Sequence, residues 1–525
     1  MFEIAIITGI CLASVLISYV AFRRGASRSA DDYFVAGSSL GYFVLIFSLL
    51  ASFLSAFALG GISSMGYRLG FGALFVLTVN LVPLGFLWYF MHRKTFLIGR
   101  ARKWMSMGAP FGERYGRLMR AIIPIVVLVA SISYLVAQVQ GIAVMIQTVT
   151  RRQIPYELGL FFAPAFVALY LILGGMKGAA WVNTVQGIFF TAMVFVLFFA
   201  VMHYNGGFAA TMDLVYKQHP RLFQIGRGGA GGGFWTYPMI FGFAAAMCLG
   251  SVCFPQPYMH AYSSRSAKGF KVMIFAFGAI CVVVISITTM IGIAGRTLGP
   301  DVIANVSKDA DNIYTLAAAK ALPDWASALA VAGAFTAAMT TVIGVVFGNA
   351  SNIANDLYKL VKPKAPAKEL VLLGRLCIAG ILVVCILIAW TRSLPVAELA
   401  LIAFGIMAVT VFPLWGAYYW KRATRFGAVA ATLIGVGMNL VFIVWGAIEG
   451  GGPGVKKMLL VPLPGNFLGN CDGFLGAVNG FLTHLNGFLV SFIVAGVVFF
   501  AVSLVTRPGA TEKKSLALFF HPSLD

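Results

Sequence analysis

Val371-Leu-Leu-Gly-Arg-Leu-Cys-Ile-Ala-Gly-Ile-Leu-Val-Val-Cys-Ile-Leu-Ile-Ala-Trp390 carries a single charge, Arg375, in twenty residues. Wound as an α-helix, a run of that length crosses the roughly 30 Å hydrocarbon core of a bilayer. The runs from Ala121 to Val149 and from Val182 to Val201 repeat the pattern. Over all 525 residues, 60% are hydrophobic and 10% are charged, whereas a soluble domain carries roughly 25% charged residues. Charge that sparse cannot clothe a water-soluble particle. The short, strictly alternating segments of a membrane barrel are not seen. The composition therefore predicts an all-α polytopic membrane protein.

Apolar windows between polar punctuation predict about 13 transmembrane helices, over residues 3–22, 42–66, 70–91, 120–149, 157–174, 183–203, 234–253, 272–295, 325–348, 370–391, 396–419, 427–447 and 485–506. The first has no basic leading region, and Arg23 and Arg24 follow it, so it is expected to be a retained helix with the N-terminus outside. Alternating the loops from there places 26 Lys and Arg inside, eight of them between Arg93 and Arg120, and 12 outside, which accounts for all 38. This inside-positive bias predicts a cytoplasmic C-terminus and suits a bacterial inner membrane. It also explains the formal net charge of +21 without a nucleic-acid partner, and no obligatory protein partner is evident. The segment His92 to Arg120 reads as a basic amphipathic stretch lying on anionic lipid. Six of the seven cysteines fall in or beside apolar spans, and Cys471 lies in the long external segment Glu449 to Leu485. Neither a disulfide framework nor a Cys metal site is expected.

Setting aside 1–41, with its extra helix, and 420–525, with two more, leaves a ten-helix core over 42–419. Five helices take the chain from 42–66 to 234–253, an odd number, so any structural relation between 42–203 and 234–419 must be inverted. Both leading helices carry helix-weakening residues near mid-depth: Ala51-Ser52 and Gly60-Gly61 in one, Gly242 and Gly250 in the other. Interruptions at matching places in two halves point to a transporter's central site. A hard cation such as sodium wants oxygen ligands, which in lipid come from hydroxyls and from carbonyls freed at a helix break. Ala51-Ser52-Phe53-Leu54-Ser55 and Ala337-Ala338-Met339-Thr340-Thr341 offer them, Ala337 and Thr341 lying one turn apart on a shared face. The competing reading is that Thr340 and Thr341 bond back to their own helix.

These residues carry a resemblance. The chain resembles the sodium/solute symporter family, the relatives of sodium/glucose, sodium/proline and sodium/pantothenate carriers, over almost its entire length. The similarity opens at Asp31-Asp32-Tyr33-Phe34-Val35-Ala36-Gly37 with Ser39-Leu40-Gly41, and continues through Leu49 to Ala56 and Tyr67-Arg68-Leu69-Gly70. Gly174-Gly175-Met176-Lys177-Gly178, with Ala180-Trp181 and Val185-Gln186, is similar to the family signature at the start of the fifth core helix. Phe254-Pro255-Gln256-Pro257 with Arg265 resembles the loop after the sixth. Asn355-Asp356-Leu357-Tyr358-Lys359 and Trp420-Lys421-Arg422-Ala423-Thr424 resemble the ends of the eighth and tenth. The resemblance implies a five-plus-five inverted-repeat (LeuT-like) core and sodium as coupling ion. Carried over by position, the sodium ligands would be the carbonyls of Ala51, Leu54 and Ala337 and the hydroxyls of Thr340 and Thr341.

This chain departs from the family pattern at three places. Asn183 stands where many relatives have Asp, position 53 is Phe, and both hydroxyl ligands are Thr. The expected solute site lies near mid-membrane, lined by Ser55, Ala56 and Phe57, by Gln138 and Gln140, by Phe243 and Met247, and by Phe404 and Met407. The aromatic and methionine side chains there also serve simple packing, and the glutamines interhelical bonding. No acidic side chain falls among them, so hydroxyls, amides and helix N-termini favour a small organic carboxylate; an amino acid or a sugar uses similar contacts. The expected function is a symporter that couples inward sodium flow to uptake of such a solute. A proton-coupled or uncoupled carrier of the same fold is the alternative that Asn183 keeps open. A membrane sensor is a distant one, since sensor relatives carry a long cytoplasmic extension and this chain stops at Asp525. No enzyme signature of the HExxH, Walker A or nucleophile-elbow kind is present.

Overall fold

The computed structural model describes residues 2–24, 29–150, 153–225, 237–306, 312–391, 396–449 and 487–520. The external segment expected from Glu449 to Leu485 lies outside them beyond its first residue, as does Cys471. An apolar chain in lipid must close its backbone hydrogen bonds on itself, which is why the spans are helical. In chain order they are α1 (Phe2–Arg24), α2 (Tyr42–Phe53) and α3 (Phe57–Leu69), α4 (Phe71–Arg102), the short α5 (Gly108–Tyr115), α6 (Arg117–Val149) and α7 (Tyr156–Tyr204). Next come α8 (Tyr237–Val252) and α9 (Pro255–Ser263), α10 (Ala267–Ala294), α11 (Asp324–Asn352), α12 (Ala367–Ala389), α13 (Val396–Ala408) and α14 (Val411–Tyr419). Two further spans, α15 (Arg425–Glu449) and α16 (Gly487–Val505), precede a terminal helix, α17 (Ala510–Phe520). With α2–α3, α8–α9 and α13–α14 each taken as one broken span and α7 as two, the described helices supply the thirteen crossings expected.

Burial separates the centre from the lipid-facing shell. The most apolar stretches of α11 and of α13–α14 are each 89% buried, against 28% for α12. A helix that is apolar on all sides and buried on all sides belongs at the core of the bundle, so α11 is the central post. Helix α7 packs along α11, α1 and α2, and α6 packs against α13 and α11. The N-terminal helix is integrated as a span: Gln186 donates to Ser14 Oγ at 2.7 Å, and Ser18 Oγ donates to the Tyr170 carbonyl at 2.7 Å.

Four local expectations are corrected. The first core helix breaks at Leu54–Ala56, where Leu54 turns extended (ψ 121°) and α2 and α3 meet at 66°. Gly60-Gly61 instead sit in a wide helical turn, Phe57–Gly61. The sixth helix breaks at Cys253-Phe254 rather than at Gly242 or Gly250, because Pro255 has no N–H to continue the ladder and restarts the helix as α9. The segment Phe254 to Pro257, expected as a loop, is therefore the root of a half-helix. Gly250 serves close packing, since a Cβ there would run into the Phe404 backbone. The stretch expected as a loop between 174 and 183 is helical within α7 and kinked at Gly175, whose φ of 53° suits glycine. Finally, the segment His92 to Arg120 does not lie along the surface as one amphipathic stretch. His92, Thr95 and Arg114 are buried, and Arg114 donates to the carbonyls of Glu512, Lys421 and Ala423.

Candidate ion and solute sites

Breaking a helix frees carbonyls, and the break after α2 frees them toward α11. In an unbroken helix the Ala58 amide would bond Leu54 O; here it bonds Ser55 Oγ at 3.3 Å. Thr340 and Thr341 reach across from α11 to the exposed carbonyls. Thr340 Oγ1 lies 2.8 Å from Ala51 O, 2.9 Å from Ala337 O and 3.0 Å from Thr336 O. Thr341 Oγ1 lies 3.1 Å from Leu54 O and 3.2 Å from Ala337 O. Ala51, Leu54, Ala337, Thr340 and Thr341 are all fully buried. The back-bonding reading holds as well, but only for one side of each hydroxyl. Two hydroxyl protons cannot serve four carbonyls at once, so this buried cluster of neutral oxygens holds more acceptors than protons. Among the described residues no group of three or more His, Cys, Asp or Glu stands together that could hold a multivalent metal.

Beside the break lies a small cavity of about 20 Å3. Of the expected liners, Ser55, Phe57, Met247 and Phe404 form its walls, joined by Phe53, Asn80, Tyr134 and Ser251. Ala56 and Gln138 stand behind the wall and hold each other: the Gln138 carbonyl oxygen accepts from the Ala56 amide at 2.8 Å, and its amide donates to Tyr134 O at 3.3 Å. Gln138 thus caps the start of α3. Gln140, Phe243 and Met407 are buried nearby but outside the cavity wall. Tyr134 and Asn80 went unnamed in the sequence, although Asn80 is a buried amide within an apolar run, a legible signal. Tyr134 stacks edge-on against Phe254 and Phe404, joining α6 to the break in α8–α9 and to α13. A space of 20 Å3 admits about one water, whereas solute pockets run to roughly 300 Å3 and more. In this arrangement the space is too small for an organic solute.

A second polar cluster lies along α2 from the break. His260 Nδ1 is 2.8 Å from the Gln256 carbonyl, which can only accept, so Nδ1 carries the proton and Nε2 accepts from Ser48 Oγ at 2.9 Å. Gln256 in turn donates to Ser52 O at 3.3 Å, tying α9 to α2 next to Ala51. Ser48, Gln256 and His260 line a second small cavity, which Asn183 also faces, and the Asn183 Oδ1 has no hydrogen-bond partner.

Two interrupted helices facing each other in an all-helical bundle, with a cluster of freed carbonyls and hydroxyls at one break, define an ion-coupled secondary carrier. The model of the sodium:solute symporter family matches residues 33–435, and the chain belongs to that family of sodium-coupled transporters, embedded in the membrane. It is 24% identical to the sodium/pantothenate symporter of Escherichia coli K12 over 421 residues, covering 79% of this chain and 85% of that protein. It is 25% identical to the sodium/proline symporter of the same organism over 458 residues, covering 82% and 85%. The fold matches a substrate-bound, outward-open sodium-coupled sialic acid symporter with a TM-score of 0.73 at 15% identity, covering 97% and 98% of the two chains. A nucleobase-cation-symport-1 family transporter in a closed conformation matches with a TM-score of 0.53 at 12% identity, covering 92% and 97%.

Proposed function

We propose that the sodium ion which drives this symporter binds at the crossing of α2–α3 with α11. Its ligands there are the carbonyls of Ala51, Leu54 and Ala337 and the hydroxyls of Thr340 and Thr341. The observation that carries this reading is the reach of both threonines across to carbonyls of the broken helix. Sodium at that point bridges the break to the central post and fixes the angle between α2 and α3, which in turn sets the walls of the adjoining cavity. Sodium and solute then stabilise one arrangement together. By linkage, each must tighten the other's binding by the same factor.

The solute is a small organic carboxylate, taken up inward with sodium. Its carboxylate docks at the start of α3, displacing the Gln138 carbonyl from the Ala56 amide, while Phe57, Met247, Phe404 and Tyr134 enclose the apolar part. Gln138 occupies the place of a carboxylate oxygen at a helix N-terminus, where negative charge is favoured. Pantothenate and proline, which name two of the relatives, both carry a carboxylate. The chain acts as a carrier and performs no covalent chemistry. It sits in a bacterial inner membrane with the N-terminus outside and the C-terminus in the cytoplasm, as the distribution of Lys and Arg supports. Residues 42–203 and 234–419 form the two inverted repeats.

Uptake of labelled carboxylates, amino acids and sugars into proteoliposomes, with and without an inward sodium gradient, tests the reading. The expected outcome is accumulation of a carboxylate only with the gradient. Equal uptake under both conditions would withdraw the ligand assignment, and accumulation of a sugar would withdraw the solute class.

A further inference from the structure

Where α5, α6, α15 and α16 reach the membrane face that also carries α17, they leave a groove of about 810 Å3. Its walls combine Arg117 and Arg425 with Leu118, Phe426, Val429 and Thr506. Each arginine is the first residue of a membrane-spanning helix, and α16 ends at Val505 beside them. The groove therefore lies where hydrocarbon gives way to headgroups. Leu118 is 60% exposed and Phe426 51%, so its apolar wall opens sideways toward lipid.

The charges around the groove are unbalanced. Arg114 is buried behind it and commits its guanidinium to backbone carbonyls. Glu512 is also buried and accepts from the Arg425 amide at 3.0 Å. Arg117 reaches the Leu360 carbonyl with one nitrogen, and Arg425 lies over the Phe426 ring at 4.7 Å. Arg117 and Arg425 face the opening. The two helix starts also differ. At α15, Glu512 and Thr424 Oγ1 cap the amides of Arg425 and Gly427. At α6 the N-cap is Gly116 (φ 89°), with no side-chain cap, so the positive end of a 33-residue helix points at the groove beside both guanidinium groups.

We propose that this groove holds the phosphate headgroup of an anionic phospholipid, with the acyl chains lying along Leu118, Phe426 and Val429. Charge complementarity selects the occupant. Guanidinium groups pair well with phosphate, basic pockets between spans on the cytoplasmic side suit anionic headgroups, and a zwitterionic lipid would bring an ammonium group toward two arginines. A second copy of this chain fits poorly, because 38 Lys and Arg against 17 Asp and Glu leave little acidic surface to offer. The proposal does not depend on the sodium or solute assignment.

The test uses the full chain purified in mild detergent and offered dioleoyl phosphatidylglycerol, dioleoyl phosphatidylethanolamine or glycerol 3-phosphate, with retained molecules counted by native mass spectrometry. Phosphatidylglycerol should be retained about tenfold better than phosphatidylethanolamine, and R117A/R425A should lower its retention about tenfold. K364A/K368A removes the same charge from exposed positions on the same face and should leave retention unchanged. Equal loss in that control overturns the site, as does equal retention of the two lipids. Retention of glycerol 3-phosphate as strong as that of phosphatidylglycerol overturns the role given to the acyl chains. A dimer that R117A/R425A dissociates gives the groove to a second copy instead. If the double alanine variant does not fold, R117Q/R425Q, which removes both charges but keeps a planar amide donor on a shorter stem, carries the same comparison.

Discussion

The first and sixth core helices are both interrupted, the first with a 66° bend, yet the two breaks are built from different chemistry. At Leu54–Ala56 the freed groups are satisfied from other helices: carbonyls by Thr340 and Thr341, the Ala56 amide by Gln138. At Cys253-Phe254 the chain closes on itself. The Cys253 amide bonds Gly250 O at 3.0 Å, Pro255 brings no donor, and the Phe254 ring packs between Tyr134 and Phe404. One break is a polar junction of carbonyls and hydroxyls. The other is packed by aromatic rings, two of which, Tyr134 and Phe404, also line the small cavity. In the proposed reading, the first serves the driving ion and the second its cargo.

The sharpest way to break this contrast is to remove the hydroxyls. T340A/T341A leaves buried carbonyls without their partners, and sodium-dependent uptake should fall about a hundredfold or more. Initial rates in proteoliposomes of matched protein content check it, and T341A alone should raise the half-saturating sodium concentration about tenfold. Next in size, Gln138→Leu strands the Ala56 amide and should cost about 1–3 kcal/mol of stability. Thermal unfolding reads that loss. At the aromatic wall, Phe404→Leu should raise the KM for solute about threefold to tenfold while uptake stays sodium-dependent. A lost sodium requirement would show that the two breaks are not separate in function. The smallest effect is expected from Pro255→Ala, which restores a donor at a turn already closed and should change uptake less than about threefold.

Gly60, Gly61, Gly242 and Gly250 show where reading the chain locally fails. Glycine weakens a helix, but neither break falls on one, because in lipid a helix opens only where something else takes up its freed groups. Gln138 is 82 residues from Ala56 and Thr340 is 289 from Ala51, so although Ala51-Ser52 marked the neighbourhood of the opening, the partners that make it possible were not legible there. The loop expected at 174–183 failed for a related reason: Lys177 and the paired glycines look like punctuation, yet a single kink at Gly175 lets the helix run on. Tyr134 was invisible because an aromatic residue in an apolar span looks like packing until its neighbours are known. His260 was hidden because the span was expected to end at 253, which left it in a loop, and its partner Ser48 lies on another helix.

The sequence by itself determined that the chain crosses a membrane many times as helices, how many times, and that its halves can be related only by inversion. These follow from hydropathy and from the parity of crossings, both additive along the chain. It also held the residues Ala51, Leu54, Ala337, Thr340 and Thr341, which the likeness to the family singled out and which the fold brings together. Only the tertiary structure decided where the helices part, which carbonyls become available and how small the cavity beside them is. Those properties belong to contacts between distant segments, and a freed carbonyl exists only where a partner across the bundle makes breaking a helix cheaper than keeping it.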